Sequence, residues 1–264
     1  MRRNLFPLPL SPAFSPSFSV PMGALLVATA LCGAGCGGDS GTEVKLDPLC
    51  AVPDPGRLDY LDDMEDGDGF ILAKNGRVSI WYTYDDLTVG TLNPAAGTMF
   101  PMEAIPEPRC GTSKRAMRVT GSGFSDWGSG FGFSLKVAMM NGEYVDTLYD
   151  ATAARGITFW ARKGETSVGS IHFGIGDQYS NPAGGHCDKS VTAGPTACYD
   201  AFGSTLMLTE KWQRFTFNFG QLQQRSFGVP RPTLDVANLT DIQFGVPEAA
   251  PVFDIWVDDI AFFQ

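Results

Sequence analysis

From residue 58 to the C-terminus, apolar and polar positions alternate with a period of two. Phe131, Phe133, Leu135 and Val137 alternate with Gly132, Ser134 and Lys136. Ile157, Phe159 and Ala161 alternate with Thr158, Trp160 and Arg162, and Ile171, Phe173 and Ile175 with His172, Gly174 and Gly176. Phe215, Phe217 and Phe219 follow the same rule, as do Ile242, Phe244 and Val246, then Phe253, Ile255 and Val257. Successive strand side chains point to opposite faces, so this pattern predicts half-buried antiparallel strands. Gly, Pro, Asn and Asp clusters separate the segments, and only residues 221–226 suggest a short helix. An all-β fold follows: a two-sheet antiparallel β-sandwich, or jelly roll, in which the apolar faces bury one another. No internal repeat or break interrupts residues 58–264, which read as one domain.

The segment ahead of that domain has a different character. Arg2 and Arg3 precede an apolar run over residues 22–31 that ends in Cys-Gly-Ala-Gly-Cys-Gly-Gly. The run is too short to span a bilayer and reads as an export signal. Small residues before Cys36 match a bacterial lipobox, with Gly33 where Leu is usual. Residues 1–36 are therefore read as signal peptide and lipobox, with Cys36 acylated; a plain secretory signal is the alternative. Residues 37–57 are polar and read as a flexible tether. The expected location is the cell envelope, lipid-anchored at a membrane surface, or else secreted.

Cysteine usage fits export. With Cys36 lipidated, Cys50, Cys110, Cys187 and Cys198 remain, an even number that suggests two disulfides in an oxidising compartment. Cys187 and Cys198 flank a Gly/Pro-containing loop and form the natural local pair, worth about 3 kcal/mol by loop entropy. Cys50 with Cys110 follows by elimination. Zinc is the rival use, but no Cys-x-x-Cys spacing exists and there are only two His.

Charge and composition then narrow the partners. A net charge of −10 excludes nucleic acid and leaves membrane contact to the lipid anchor alone, because both polyanions need a basic surface. Sugars and divalent cations remain. A sugar site needs an aromatic platform beside groups that bond hydroxyls. Trp81, Tyr82 and Tyr84 offer rings in one segment, and Asp126 and Trp127 in another. Trp160, Arg162 and His172 stand opposite core positions, with Asp177 and Tyr179 following. The expected groove is a concave sheet face bearing Trp160, Arg162 and His172, rimmed by Tyr179. Trp212 and Trp256 are expected to be structural. Asp62, Asp63, Glu65, Asp66 and Asp68 near the start, and Asp258 and Asp259 near the end, would converge if first and last strands are adjacent. So many carboxylates need a counter-cation, and hard oxygen ligands suit Ca²⁺; solvated edge charge is the alternative. No Gly-x-Ser-x-Gly elbow, phosphate loop or His-Glu-x-x-His helix is present, so catalysis is not expected.

Several short motifs, taken in order, resemble a known group. The opening Leu61-Asp62-Asp63-Met64-Glu65-Asp66-Gly67 and the closing Phe253-Asp254-Ile255-Trp256-Val257-Asp258-Asp259-Ile260 resemble the first and last strands of jelly-roll carbohydrate-binding modules. Arg115-Ala116-Met117-Arg118-Val119, Gly156-Ile157-Thr158-Phe159-Trp160-Ala161-Arg162 and Leu208-Thr209-Glu210-Lys211-Trp212-Gln213 occupy the places of further strands. The chain from residue 58 onward thus resembles family-11-like modules of the galactose-binding-like superfamily. The resemblance implies a non-catalytic, monomeric domain that binds β-glucan or another plant or microbial polysaccharide. It also implies a structural Ca²⁺ held by Asp63, Glu65, Asp66, Asp258 and Asp259, with Glu65 and one of the Asp258/Asp259 pair foremost. Met64 departs from the usual Phe, and the insert carrying Cys187 and Cys198 leaves the sugar open. The alternatives are a scaffold or adhesion lipoprotein that binds protein, and a glycoside hydrolase or lyase.

Overall fold

The structure is a computed structural model that describes residues 50–106, 110–247, 250 and 252–264. The signal, Cys36 and the first part of the expected tether lie outside these residues. Fourteen strands follow one another: β1 (Leu58–Asp62), β2 (Trp81–Asp85), β3 (Thr91–Asn93), β4 (Met102–Ala104), β5 (Arg115–Ser122), β6 (Ser129–Ser134), β7 (Val137–Met140), β8 (Glu143–Asp146), β9 (Gly156–Lys163), β10 (Ser170–Asp177), β11 (Phe202–Met207), β12 (Gln213–Asn218), β13 (Leu239–Val246) and β14 (Phe253–Phe263). Where residues 221–226 suggested a helix, only a single 3₁₀ turn forms, over Phe219–Gln221.

The strands build two large antiparallel sheets, the β-sandwich expected from the alternation. One runs β12-β9-β14-β5-β3, with β1 also beside β14 and β4 beside β5; the other runs β11-β10-β13-β6-β2. β7 and β8 form a separate hairpin. The long last strand is central to its sheet, holding β9 on one side and β5, then β1, on the other.

The core between the sheets is mostly phenylalanine. Phe159 of β9 meets Phe173 of β10 at 4.9 Å and Phe244 of β13 edge-on at 5.2 Å, and so bridges the two sheets. Phe131 stacks on Phe244 at 5.0 Å and Phe173 on Phe217 at 5.6 Å. Such ring pairs add to the gain from burying large apolar area. Both expected disulfides are formed, Cys50–Cys110 and Cys187–Cys198.

A second apolar cluster sits on the outer face of the seven-stranded sheet. Trp160, Trp212, Trp256, Ile105 and Ala116 pack together there, with the Cys50–Cys110 bridge against them. Guanidinium groups interleave: Arg214 lies 4.8 Å from the Trp160 ring and Arg118 4.9 Å from that of Trp256. Residues 50–57, read as the end of a tether, are bound to this face. Arg214 donates to the Val52 carbonyl and pairs with Asp54 at 2.6 Å.

Replacing Phe159 with Ala should cost about 3–5 kcal/mol, because it deletes the ring that joins the sheets and leaves a cavity. Denaturant unfolding measures this. A loss below about 1 kcal/mol would show that the bridge is not the main contact between the layers.

Candidate functional site

The outer face of the five-stranded sheet follows from what its inner face buries. Phe131, Phe133, Phe173, Ile175, Phe244 and Phe202 point into the core, so their neighbours point outward. Cross-strand pairing sets those outward residues in two rows. One row is Tyr82, Gly132, Gln243, Gly174 and Gly203; the next is Tyr84, Gly130, Gly245, His172 and Thr205. The rows cross five strands, a span of roughly 19 Å at the usual strand spacing. Half of the ten positions are glycine.

The glycines make room for neighbours to lie down on the sheet. A Cβ on Gly130 would fall 2.5 Å from the Tyr84 ring and 2.7 Å from the Phe244 carbonyl oxygen. One on Gly203 would run into the Phe173 carbonyl oxygen and lie 2.8 Å from Nε2 of His172, and one on Gly132 would run into the Ile242 carbonyl oxygen, so close main-chain approach requires glycine there as well. At Gly245, in the middle, a Cβ would meet only His172, at ordinary contact distances of 3.8–3.9 Å. The floor is therefore open at its centre. Tyr82, Tyr84 and the exposed Trp127 form a continuous aromatic group at the β2 end, with centroid separations of 6.1 and 6.0 Å.

Hydrogen bonds fix the polar members. The Tyr84 hydroxyl donates to Oε1 of Gln243 at 3.3 Å, reaching across β6. The Gln243 amide donates in turn to Asp241, which is fully buried and also accepts from Asn181 Nδ2 at 3.0 Å and Thr240 Oγ1 at 2.7 Å. That chain orients the Gln243 amide. Beyond β11, His172, Gly203, Ser204, Thr205, Gln221, Gln223 and Arg225 line a hollow of about 400 Å³. Burial, and then the nearby Arg225 charge, pushes the His172 imidazole down to about 4, so it is neutral at physiological pH.

The expected site residues divide accordingly. Tyr82, Tyr84, Trp127 and His172 share the outer face, and Asp126 is exposed on the loop beside Trp127. Trp160 and Arg162 do not join them. They lie on β9, in the other sheet, and Trp160 is buried in the tryptophan cluster, so the expected groove of Trp160, Arg162 and His172 does not form. Trp81 points inward, packs edge-on against Phe133 at 4.6 Å and donates its Nε1 to Asp62 at 2.7 Å. Asp177 is also buried. It accepts from the main-chain N of Tyr179, Ser180 and Asp235, which makes it a loop organiser rather than a sugar contact. Tyr179 is held between Arg231, 4.0 Å from its ring, and His186 at 4.7 Å. Sequence reading missed the glycine floor, Gln243, Thr205, Gln221, Gln223 and Arg225. The repeated Gly-Phe-Gly-Phe of residues 130–133 was the available signal.

The two acidic segments do meet. β1 pairs with β14, setting Asp62 opposite Ile260. A bulge follows Asp258, with Asp259 in the left-handed region at φ 50°, so both carboxylates leave the inner face. Oε1 of Glu65 accepts from the main-chain N of Lys114 and Arg115. Ser113 Oγ lies between the two segments, 3.1 Å from Oε1 of Glu65 and 2.7 Å from Oδ2 of Asp258, with one proton to give to the nearer. Burial and the neighbouring Asp259 push Asp258 well above the carboxylate range; burial and the Asp63 charge push Asp259 to about 6. The donor chemistry suits a hard cation. The grouping does not: among the described residues, no three His, Cys, Asp or Glu side chains are placed to hold one metal ion. Asp63 and Asp66 instead cap local turns, accepting from the main-chain N of Glu65 and Asp68.

No protein-family profile matches this chain, and no curated protein does. Among solved structures, a family 11 carbohydrate-binding module of a cellulosomal cellulase of Clostridium thermocellum is similar at 15% identity and TM-score 0.45, covering 80% of this chain and 96% of that one. The family 11 module from C. thermocellum in complex with a β-1,3-1,4-mixed-linked tetrasaccharide gives 15% identity and TM-score 0.44 over 75% and 96% of the two chains. A family 30 module from a C. thermocellum cellulosomal cellulase gives 12% and 0.45 over 75% and 97%.

The neutral imidazole can be checked directly. An NMR titration should place the His172 midpoint near 4. The sign for stability follows. Between about 6.5 and 4 the unfolded chain binds a proton that the native one refuses, so stability falls as pH falls through that window. A midpoint near 6.5 would show that the ring is solvated rather than laid on Gly203.

Proposed function

We propose that this chain is a non-catalytic carbohydrate-binding protein, and that a polysaccharide segment lies in the glycine-floored trough of the five-stranded sheet. The observation that carries this reading is the make-up of that outer face. An open floor at Gly245 lies between the Tyr82, Tyr84 and Trp127 rings and the polar Gln243, His172 and Thr205. Aromatic faces take the apolar faces of sugar rings, while amide, imidazole and hydroxyl groups exchange hydrogen bonds with sugar hydroxyls. A span of roughly 19 Å suits an extended chain rather than a single sugar. Export and lipid anchoring at Cys36 are part of the same proposal, and the two disulfides support an oxidising compartment.

Affinity electrophoresis through soluble polysaccharides tests it. Tyr84→Ala and Trp127→Ala should each weaken retardation about tenfold or more, and Gly245→Val should abolish it with an unchanged melting curve, since its Cβ makes only ordinary contacts with His172. Retention of full affinity by Gly245→Val would place the ligand elsewhere and overturn the reading.

The structural calcium is a separate proposal. Its support is charge alone: Asp259 and Glu65 act on Asp258, Asp63, Glu65 and Asp54 act on Asp259, and among the groups acting most strongly on Asp259 only Arg214 opposes them. Among the described residues the side chains as they stand are not grouped around one ion, so binding would have to draw them together. An ion bound by the native state alone stabilises by about 2.7 kcal/mol at a hundredfold excess over Kd. Calcium should therefore raise the melting temperature of chelator-treated protein by several degrees, and Glu65→Gln should erase the increment. Equal melting curves with chelator and with calcium would leave hydrogen bonds and protons as the counter-charge.

A further inference from the structure

Resting on the carbohydrate reading of the trough, we propose that its β11 end binds an anionic substituent of the glycan, a carboxylate or a sulfate ester, and that Arg225 pairs with it. Three observations lead there.

The first is placement. Gln223 continues the sheet beyond β11, exchanging main-chain hydrogen bonds with Gly203 at 2.9 and 3.1 Å. Gln223 therefore extends the outer face, and Gln221, at the end of the 3₁₀ turn, and Arg225 join it in lining the hollow that also contains His172 and Thr205.

The second is the state of the Arg225 side chain. Its backbone is held by Asp200, a buried carboxylate that accepts from the main-chain N of Arg225, Phe227 and Gly228 at 2.9–3.0 Å. Asp200 thus spends both oxygens on amides. The guanidinium lies 5.0 Å from the Phe227 ring, and among the described residues no carboxylate forms an ion pair with it. Arg77, Arg118 and Arg214, by contrast, are each paired with an acid. A stacked, exposed guanidinium with a free fork is preset for two parallel hydrogen bonds to a carboxylate or sulfate.

The third is what the lining lacks. In a chain with 29 Asp and Glu against 19 Lys and Arg, the hollow around Arg225 contains no acid. The neighbouring hollow of about 430 Å³, which shares Gln223 and is bounded by Arg231, contains none either. A neutral His172 faces Arg225 without competing for the anion. Arginine, two glutamine amides and a threonine hydroxyl make a donor-rich lining suited to an acceptor-only group.

The test uses three polymers in affinity electrophoresis: polygalacturonate, a sulfated galactan and a neutral mixed-linked β-glucan, at two salt concentrations. The wild-type protein should be retarded most by one of the two anionic polymers, less so at high salt. The one preferred identifies carboxylate or sulfate as the source of charge. Arg225→Gln should weaken that binding about tenfold or more, with Arg225→Lys intermediate. Preference for the neutral glucan, or an anionic affinity unchanged in Arg225→Gln, overturns the inference and leaves the carbohydrate reading intact. Retardation by none of a wide range of polysaccharides overturns both.

Discussion

The face proposed to bind carbohydrate depends on the packing of Phe159 against Phe173 and Phe244. These rings commit the odd-numbered residues of β6 and β10, and the even-numbered residues of β13, to the space between the sheets. Strand geometry then leaves the alternate residues no choice but the outer face. Because β2, β6, β13, β10 and β11 pair in register, those outward residues fall into rows rather than a scatter. A one-residue slip in any of these strands would exchange floor and core. The core does not merely support the trough; it selects which residues are in it.

Glycine in a strand weakens it, since it forfeits side-chain packing and costs more backbone entropy. Five glycines in ten adjoining positions therefore call for compensation. It comes from above. The Tyr84 ring occupies the place of a Gly130 side chain, the Phe173 carbonyl and the His172 ring crowd that of Gly203, and Tyr84 is tied to Gln243. Large side chains on one strand thus cover small ones on the next, and only the space over Gly245 is left open. The same reclining leaves a tyrosine ring and an imidazole edge on the outer face, so the feature that restores packing also builds the surface proposed to bind the glycan.

The sandwich, the strands β6, β9, β10, β12, β13 and β14 and both disulfides were legible in the sequence, because each is written in local alternation or in a small even count of cysteines. The face proposed for binding was not. Trp160, Arg162 and His172 have identical local signatures, a polar or aromatic residue opposite a core position. What separates them is long-range: β9 and β10 are consecutive in sequence but lie in different sheets. The outer side of β9 is then closed by residues 50–57 and the Cys50–Cys110 bridge, which arrive from far away in the chain. Trp81 and Tyr82 show the complementary case. Their types are equally suited to a sugar site, and only the phase of the alternation puts one in the core and the other on the surface. The acidic seam was legible as a meeting of ends, but not as the Glu65–Ser113–Asp258 arrangement, because Ser113 carries no sequence signal of its own.

Net charge is a weaker guide to this surface than it is to long-range approach. A charge of −10 repels polyanions at a distance, but at physiological ionic strength that field decays over about 8 Å. Within the trough the relevant charges are the nearest ones, and these are uneven. Asp126 and Asp86 lie at the aromatic end, where Asp86 is bound by the main-chain N of Asp126 and Gly128. Arg225 and Arg231 lie at the other, bounding two hollows without acids. The trough is thus polar along its length, acidic beside Trp127 and basic beyond β11. A ligand lying along it would feel that gradient, which favours one chain direction over the other.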